Sequence, residues 1–331
     1  MVRTTKQCSS ASICRIIQFL ILLSLYNLVN AADWPQWRGS NRDGTWNEKG
    51  LVEKFTTEQL PIRWRAKISN GYSGPTVAKG RVYITDRLTS PEQVERVLCF
   101  DAMTGKPLWS YSYECKYNKV GYPNGPRAAV TINDNRTYSL GTMGHLNCLD
   151  AATGKLLWNK DCGSEYKIRI PIWGIASSPL VEDNLAIVQI GGRDGACLVA
   201  FDKATGKEKW RALEDRASYS APIMIEQAGK RVFLCWTGDS IAGLNPMTGK
   251  LFWKYPFKPF RMVINVPTPV FQNNYLFVSS FYDGSLLLKV NPDELTVEKV
   301  WRRKGASERE TDSLHCMIST PVIQGEHIYG V

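Results

Sequence analysis

Histidine is scarce in this sequence, and the common motifs of cofactor chemistry are missing. Only His145, His315 and His327 occur among 331 residues, widely separated along the chain. No C-x-x-C-H is present to anchor a covalent haem, and no D-x-D-x-D-G spacing to form a calcium loop. The body of the chain has no long 3.6-period apolar stripe, which excludes a helical bundle. The residues 191–195 (GGRDG) join two strand runs instead of opening a helix, so they read as a hairpin turn and not as a phosphate cradle. His145 and His327 read as turn or strand residues, not metal ligands. The basic stretch WRRKG (301–305) reads as a solvated turn, and no nucleic-acid motif accompanies it.

Residues 1–32 are expected to form a signal peptide. Arg3, Lys6 and Arg15 give a basic start without acidic residues, the apolar run Ile16–Val29 follows, and Ala31 and Ala32 offer a cleavage site. A run of 14 residues is short for a bilayer span, so cleavage is favoured over anchoring. Export to the periplasm, cell surface or medium is the expected destination, with no transmembrane segment after cleavage. The net charge of +10 falls to +7 once those three cations are removed, a modest surplus compatible with anionic partners.

Nine cysteines are present, and seven follow the leader. Cys99, Cys148 and Cys197 lie in apolar strand runs and read as small buried residues. Cys115 and Cys162 are expected in loops, where they could pair in an oxidising compartment.

The 11 tryptophans and 26 glycines suit many short strands and tight turns. They are also periodic. DAMTGKPLW (101–109), DAATGKLLW (150–158), DKATGKEKW (202–210) and NPMTGKLFW (245–253) align without gaps. NPDELTVEKVW (291–301) keeps the ends but loses Gly-Lys and gains two residues. Together with Trp64, the terminal tryptophans stand 45, 49, 52, 43 and 48 residues apart, the length of a four-stranded propeller blade. Asp or Asn opens each turn by accepting backbone N–H groups, and Gly105, Gly154, Gly206 and Gly249 supply a positive φ. Trp64, Trp109, Trp158, Trp210, Trp253 and Trp301 are the flat groups that dock one blade on the next.

These segments resemble the tryptophan-docking motif of the PQQ-like (pyrroloquinoline quinone) repeat family. The resemblance covers Trp64 to Val331 and implies an all-β, quinoprotein alcohol dehydrogenase-like β-propeller over residues 62–331, preceded by a lead-in at 33–61. It implies eight blades when complete; about five full blades and partial ones are present, so the sequence is expected to be truncated at its C-terminus. The motif asks for a small residue two places before the Asp. Cys99, Cys148, Ala200 and Gly243 comply, whereas Lys289 breaks the rule. The opening DWPQWRGSNRDG (33–44) is similar to the mature start of planctomycete-type exported members.

The resemblance also raises PQQ with calcium as a cofactor, and with it a PQQ-dependent dehydrogenase acting on alcohols or a polymer. The enzymes of this kind place adjacent cysteines against the quinone, and no two cysteines are adjacent here. The expectation is therefore no cofactor, no metal and no catalytic residues. A binding or scaffold propeller fits better, similar in kind to the propeller subunit of the outer-membrane β-barrel assembly machinery, with an envelope protein or polymer as partner. Binding is expected on the face that carries the long connections between blades. Arg169, Trp173, Arg193, Asp194, Arg261, Tyr282 and Asp283 are the candidate anchors there. The plainer role for Trp173 and Tyr282 is packing at the channel mouth.

Overall fold

A computed structural model describes residues 32–55 and 58–331; the expected signal peptide lies almost wholly outside them. Residues 33–46 and 52–331 form one compact unit, and Ala32 with Asn47–Leu51 belongs to a separate small one.

The first sheet contains β1 (Thr76–Ala78), β2 (Arg81–Leu88), β3 (Val94–Asp101) and β4 (Pro107–Glu114). The second has β5 (Thr131–Asn133), β6 (Arg136–Leu140), β7 (His145–Asp150) and β8 (Leu156–Asp161), followed by the single-turn α1 (Cys162–Glu165). The third comprises β9 (Leu180–Glu182), β10 (Leu185–Gln189), β11 (Leu198–Asp202) and β12 (Glu208–Ala212). The fourth comprises β13 (Ile223–Gln227), β14 (Lys230–Trp236), β15 (Ser240–Leu244) and β16 (Leu251–Pro256). The fifth comprises β17 (Val270–Gln272), β18 (Tyr275–Ser280), β19 (Gly284–Val290) and β20 (Val297–Arg303). β21 (Val322–Gln324) and β22 (His327–Tyr329) then form a two-stranded sheet. Within each four-stranded sheet the strands pair in chain order and antiparallel, as propeller blades do.

Burial follows position in the blade. The middle strands β10 and β15 are buried at every residue, because neighbouring blades cover both faces. The outer strand β4 alternates exposed and half-buried. The hydrophobic core is accordingly divided between blades. One cluster joins Tyr138, Leu146 and Trp158 to Val188 and Phe201 of the next blade, and another joins Leu234 and Trp253 to Leu276 and Leu288.

The docking tryptophans work as the repeat implies. A β-carbon at Gly206, whose φ is 71°, would stand 2.7 Å from the Trp158 ring, so only glycine lets the indole lie flat on the next turn. Trp64, Trp109 and Trp210 lie equally close to Gly105, Gly154 and Gly249. Each indole N–H donates to a carbonyl of the same turn: Trp64 to Ala102 at 3.0 Å, Trp109 to Ala151 at 3.1 Å, Trp158 to Lys203 at 3.1 Å and Trp210 to Pro246 at 3.0 Å. Trp253 has no such glycine to meet. It donates to Gln227 Oε1 at 2.8 Å, while Gln227 Nε2 donates to Glu294 O and Thr296 O of the degenerate turn. Gln227 thus adapts a regular docking residue to the irregular fifth hairpin.

The turn acid accepts the bonds expected of it. Asp150 Oδ1 takes the Thr153 hydroxyl at 2.7 Å and the Thr153 and Ala152 N–H groups, and the hydroxyl bond leads in holding its pKa below the usual value. A carboxyl depressed on folding stabilises above its unfolded pKa of about 3.9 and loses that contribution as pH falls through the lower folded value. Asn245 fills the same place in the fourth blade, accepting from Met247 N and Thr248 N. Asp150→Asn is therefore expected to preserve the turn and to remove part of the acid sensitivity of the melting temperature, measured by thermal unfolding from neutral pH down to acid.

Four expectations need correction. The repeat spacing makes Trp64 the end of a lone closing strand, but the structure has no strand there, only an isolated bridge between Asn70 and Arg87. A closing strand needs a third strand of its own blade to pair with, and none lies beside it among the described residues. The small-residue rule is broken in the fifth blade, but at Leu287 and not at Lys289. The two inserted residues move the β-bulge to Leu287/Leu288, so Leu287 stands opposite Trp301 and Lys289 pairs with Glu298. Cys115 and Cys162 are free thiols, buried like the other five described cysteines, and burial raises their pKa. WRRKG is not a solvated turn, since Trp301–Arg303 lie in β20 and the Arg302 guanidinium stacks over Phe257 at 3.8 Å.

The lead-in runs against the blades. Trp34 exchanges N–H···O bonds with Val77 at 2.7 and 2.9 Å, and Pro35 O accepts from Ile132 N at 2.7 Å. Trp37 Nε1 donates to Thr268 Oγ1 at 2.8 Å. Arg42 is 3% exposed and donates to the carbonyls of Ser178, Pro179 and Pro222. Ten residues thereby touch all five blades.

Candidate functional site

The loops between blades, and those between the second and third strands of a blade, lie at one end of the strands; the Thr-Gly-Lys hairpins lie at the other. Two concavities open on the first side. One is a groove of about 650 Å³ built from the loops that follow β8, β10, β12 and β16. It gathers Arg169, Arg193, Asp194 and Arg261, four of the seven expected anchors, together with Glu214 and Arg216. Arg169 and Arg193 are exposed, and neither guanidinium has a hydrogen-bonded or ionic partner among the described residues. The Arg261 guanidinium lies over the Tyr282 ring, 5.5 Å from its centroid. Arg216 is held by Asp239 at 2.8 Å. Asp215, buried at the groove wall, is matched by the Lys254 ammonium at 2.5 Å and the Thr237 hydroxyl at 2.6 Å. The apolar side chains of Ile172, Met262 and Val263 line the same groove.

The second concavity, about 380 Å³, is walled by aromatic rings. Trp173 packs on Tyr219 with centroids 5.1 Å apart and meets Tyr122 edge-on at 6.4 Å. Trp37 of the lead-in and Tyr72 complete the wall. Arg127 lies over the Tyr72 ring at 4.8 Å and donates to Gly125 O at 2.9 Å and Gly121 O at 3.0 Å. Tyr219 lines both concavities, which makes them neighbours.

The structure therefore assigns Trp173 to the aromatic cavity and not to the groove. Tyr282 stands behind Arg261. Asp283 is 2% exposed, and its Oδ1 accepts from Phe260 N at 3.0 Å and meets the Lys304 ammonium at 3.4 Å, while its buried Oδ2 has no hydrogen-bond partner among the described residues. Tyr219, Arg127, Arg216 and Trp37 were missed. Tyr219 lies in the short connection after β12, which carries no length signal, and Trp37 lies outside the repeats.

A calcium-held quinone would need oxygen ligands for the metal. The aromatic cavity presents rings, apolar side chains, Ser178 and one arginine, with no carboxylate on its wall. No group of three His, Cys, Asp or Glu among the described residues is placed to hold a metal ion.

A family model described as outer membrane protein assembly factor BamB matches residues 93–331. No curated protein matches the chain in sequence. Among solved structures, BamB from Moraxella catarrhalis is similar at a TM-score of 0.51 and 15% identity, over 79% of this chain and 70% of that one. Quinohemoprotein alcohol dehydrogenase from Comamonas testosteroni is similar at 0.62 and 17% identity, over 87% of this chain and 53% of that one. Another, ADHIIG from Pseudomonas putida HK5, is similar at 0.51 and 16% identity, over 82% and 48%. The chain spans about half the length of these two dehydrogenases. At such identities the likeness is one of fold. The repeats, the four-stranded blades and a family match over well more than half of the sequence agree: this chain belongs to the PQQ-like repeat β-propellers, in the family described as outer membrane protein assembly factor BamB.

Proposed function

We propose that this chain is a non-catalytic binding propeller of the cell envelope, with its docking site in the arginine groove of the long-loop side. The observation that carries this reading is the pair Arg169 and Arg193, exposed and unpartnered beside Arg261 in a groove large enough for a segment of another molecule. Unpaired guanidiniums cost little in water and are free to form charge-assisted bonds with an incoming group. The family's description as an assembly factor supports a protein-binding role. The basic start and apolar run of residues 1–32 support export, and no helix among the described residues is long and apolar enough to cross a membrane. The partner class is an envelope protein or polymer.

The rival reading, a PQQ-dependent dehydrogenase, draws on fold likeness. Full-length protein incubated with PQQ and Ca²⁺ is expected to retain no quinone and to reduce no dye with simple alcohols. Stoichiometric quinone absorbance surviving gel filtration would overturn the binding-propeller reading.

A further inference from the structure

We infer that the partner is an extended acidic peptide segment carrying an aromatic side chain, with its carboxylates on Arg169, Arg193 and Arg261 and its ring in the aromatic cavity. The inference rests on the docking reading above. The groove and cavity share Tyr219, and the backbone run from Ile170 to Ile172, which lines the groove, leads directly to Trp173 in the cavity. One extended ligand can therefore occupy both.

The groove also carries Asp194 and the exposed Glu214. A uniformly charged polymer, such as a polyuronate or a nucleic acid, would bring charge against these carboxylates as well as against the arginines. A peptide can place acidic residues opposite the guanidiniums and neutral ones opposite Asp194 and Glu214, so the mixed lining selects by repulsion as well as attraction. Ile172, Met262 and Val263, which line the same groove, suit a peptide's apolar stretches. In the cavity, Trp173 and Tyr219 are inclined at 35° and Tyr122 stands edge-on, leaving faces and edges for an offset or T-shaped ring. Tyr122 is 70% exposed and forms an open wall through which that ring can enter.

The test uses an array of short peptides, each with one phenylalanine at varied spacing from several glutamates, probed with the full-length protein. Peptides selected on the array are then measured by fluorescence anisotropy. Binding is expected to weaken about tenfold or more when phenylalanine is replaced by alanine, and again when the glutamates become glutamines. Arg169→Gln with Arg193→Gln should weaken it similarly and flatten its salt dependence, whereas Lys155→Gln on a Thr-Gly-Lys hairpin should not. Trp173→Ala should abolish the preference for phenylalanine. If that variant melts early, Tyr122→Ser supplies the same test from an exposed position. Equal binding of the glutamine analogues, or tighter binding of an oligogalacturonate, overturns the inference. No selected peptide, together with no retained quinone, overturns it while leaving the docking reading in place. Retained quinone overturns the docking reading itself.

Discussion

Trp158→Ala is expected to lower the free energy of unfolding by about 3–5 kcal/mol, the range for removing a large buried aromatic. Trp158 is 8% exposed, lies on Gly206, donates to Lys203 O and belongs to the cluster joining the second and third blades. Its loss opens a cavity at a seam between two sheets, where neither side can collapse without moving a whole blade. Trp210→Ala should behave alike, since Trp210 meets Gly249 and Pro246 in the same geometry. Trp37→Ala should cost about 1–2 kcal/mol, because that ring is half-buried and makes one hydrogen bond. Denaturant unfolding of the three variants checks this. Equal midpoints would show that the docking tryptophans hold no special place.

Arg42→Leu is expected to cost about 2–4 kcal/mol. The guanidinium bridges the third and fourth blades through carbonyls of Ser178, Pro179 and Pro222. Pro179 O keeps the Thr131 hydroxyl at 2.6 Å, so the substitution deprives Ser178 O and Pro222 O of their donor. Relief of a buried charge offsets part of the loss. Burial lowers the pKa of Arg42 to about 9, which still leaves it charged at neutral pH. Arg42→Lys should recover less than half of the loss, because one ammonium cannot span three acceptors held by a planar fork. Chemical denaturation of both variants at neutral pH decides; an unchanged midpoint for Arg42→Leu would mean that the lead-in does not bind the blades in solution.

Which features were legible in the sequence follows from how each is encoded. Trp158 and Gly206 were readable because their roles are local and repeated: each blade needs a flat ring at its end and a turn without a β-carbon. The fifth blade was misread at Lys289, because an insertion of two residues shifts the bulge and only the pairing shows where it lands. Gln227 gave no signal at all; its role exists only because Trp253 on one blade meets an altered turn on another. Arg42 sits in a polar stretch of short residues, which reads as exposed, and its burial depends on carbonyls more than a hundred residues away. The candidate groove was partly readable. Arg169, Arg193 and Arg261 come from long or glycine-rich connections, which the blade period places on one side. Tyr219 comes from a short connection and joins the site through the packing of Trp173 against it. Asp283 looked available in sequence because nothing there announces the Phe260 N–H and Lys304 that occupy it.

The lead-in has a consequence for the order in which the protein can be made. Its contacts climb in sequence separation: Trp34 with Val77, Pro35 with Ile132, Arg42 with Ser178 and then Pro222, and Trp37 with Thr268 across 231 residues. During synthesis residues 33–42 come ahead of the five blades, yet each of these contacts must wait for the blade that completes it. Closing such long loops is entropically slow, and the last bond cannot form before Thr268 arrives. Arg42 stays in water, and the seam between the third and fourth blades stays open, until Pro222 arrives, and Trp37 stays in water until Thr268 does. This early segment is thereby fixed only after the fourth blade has been made, and a folding helper acting on this protein would have a long opportunity there.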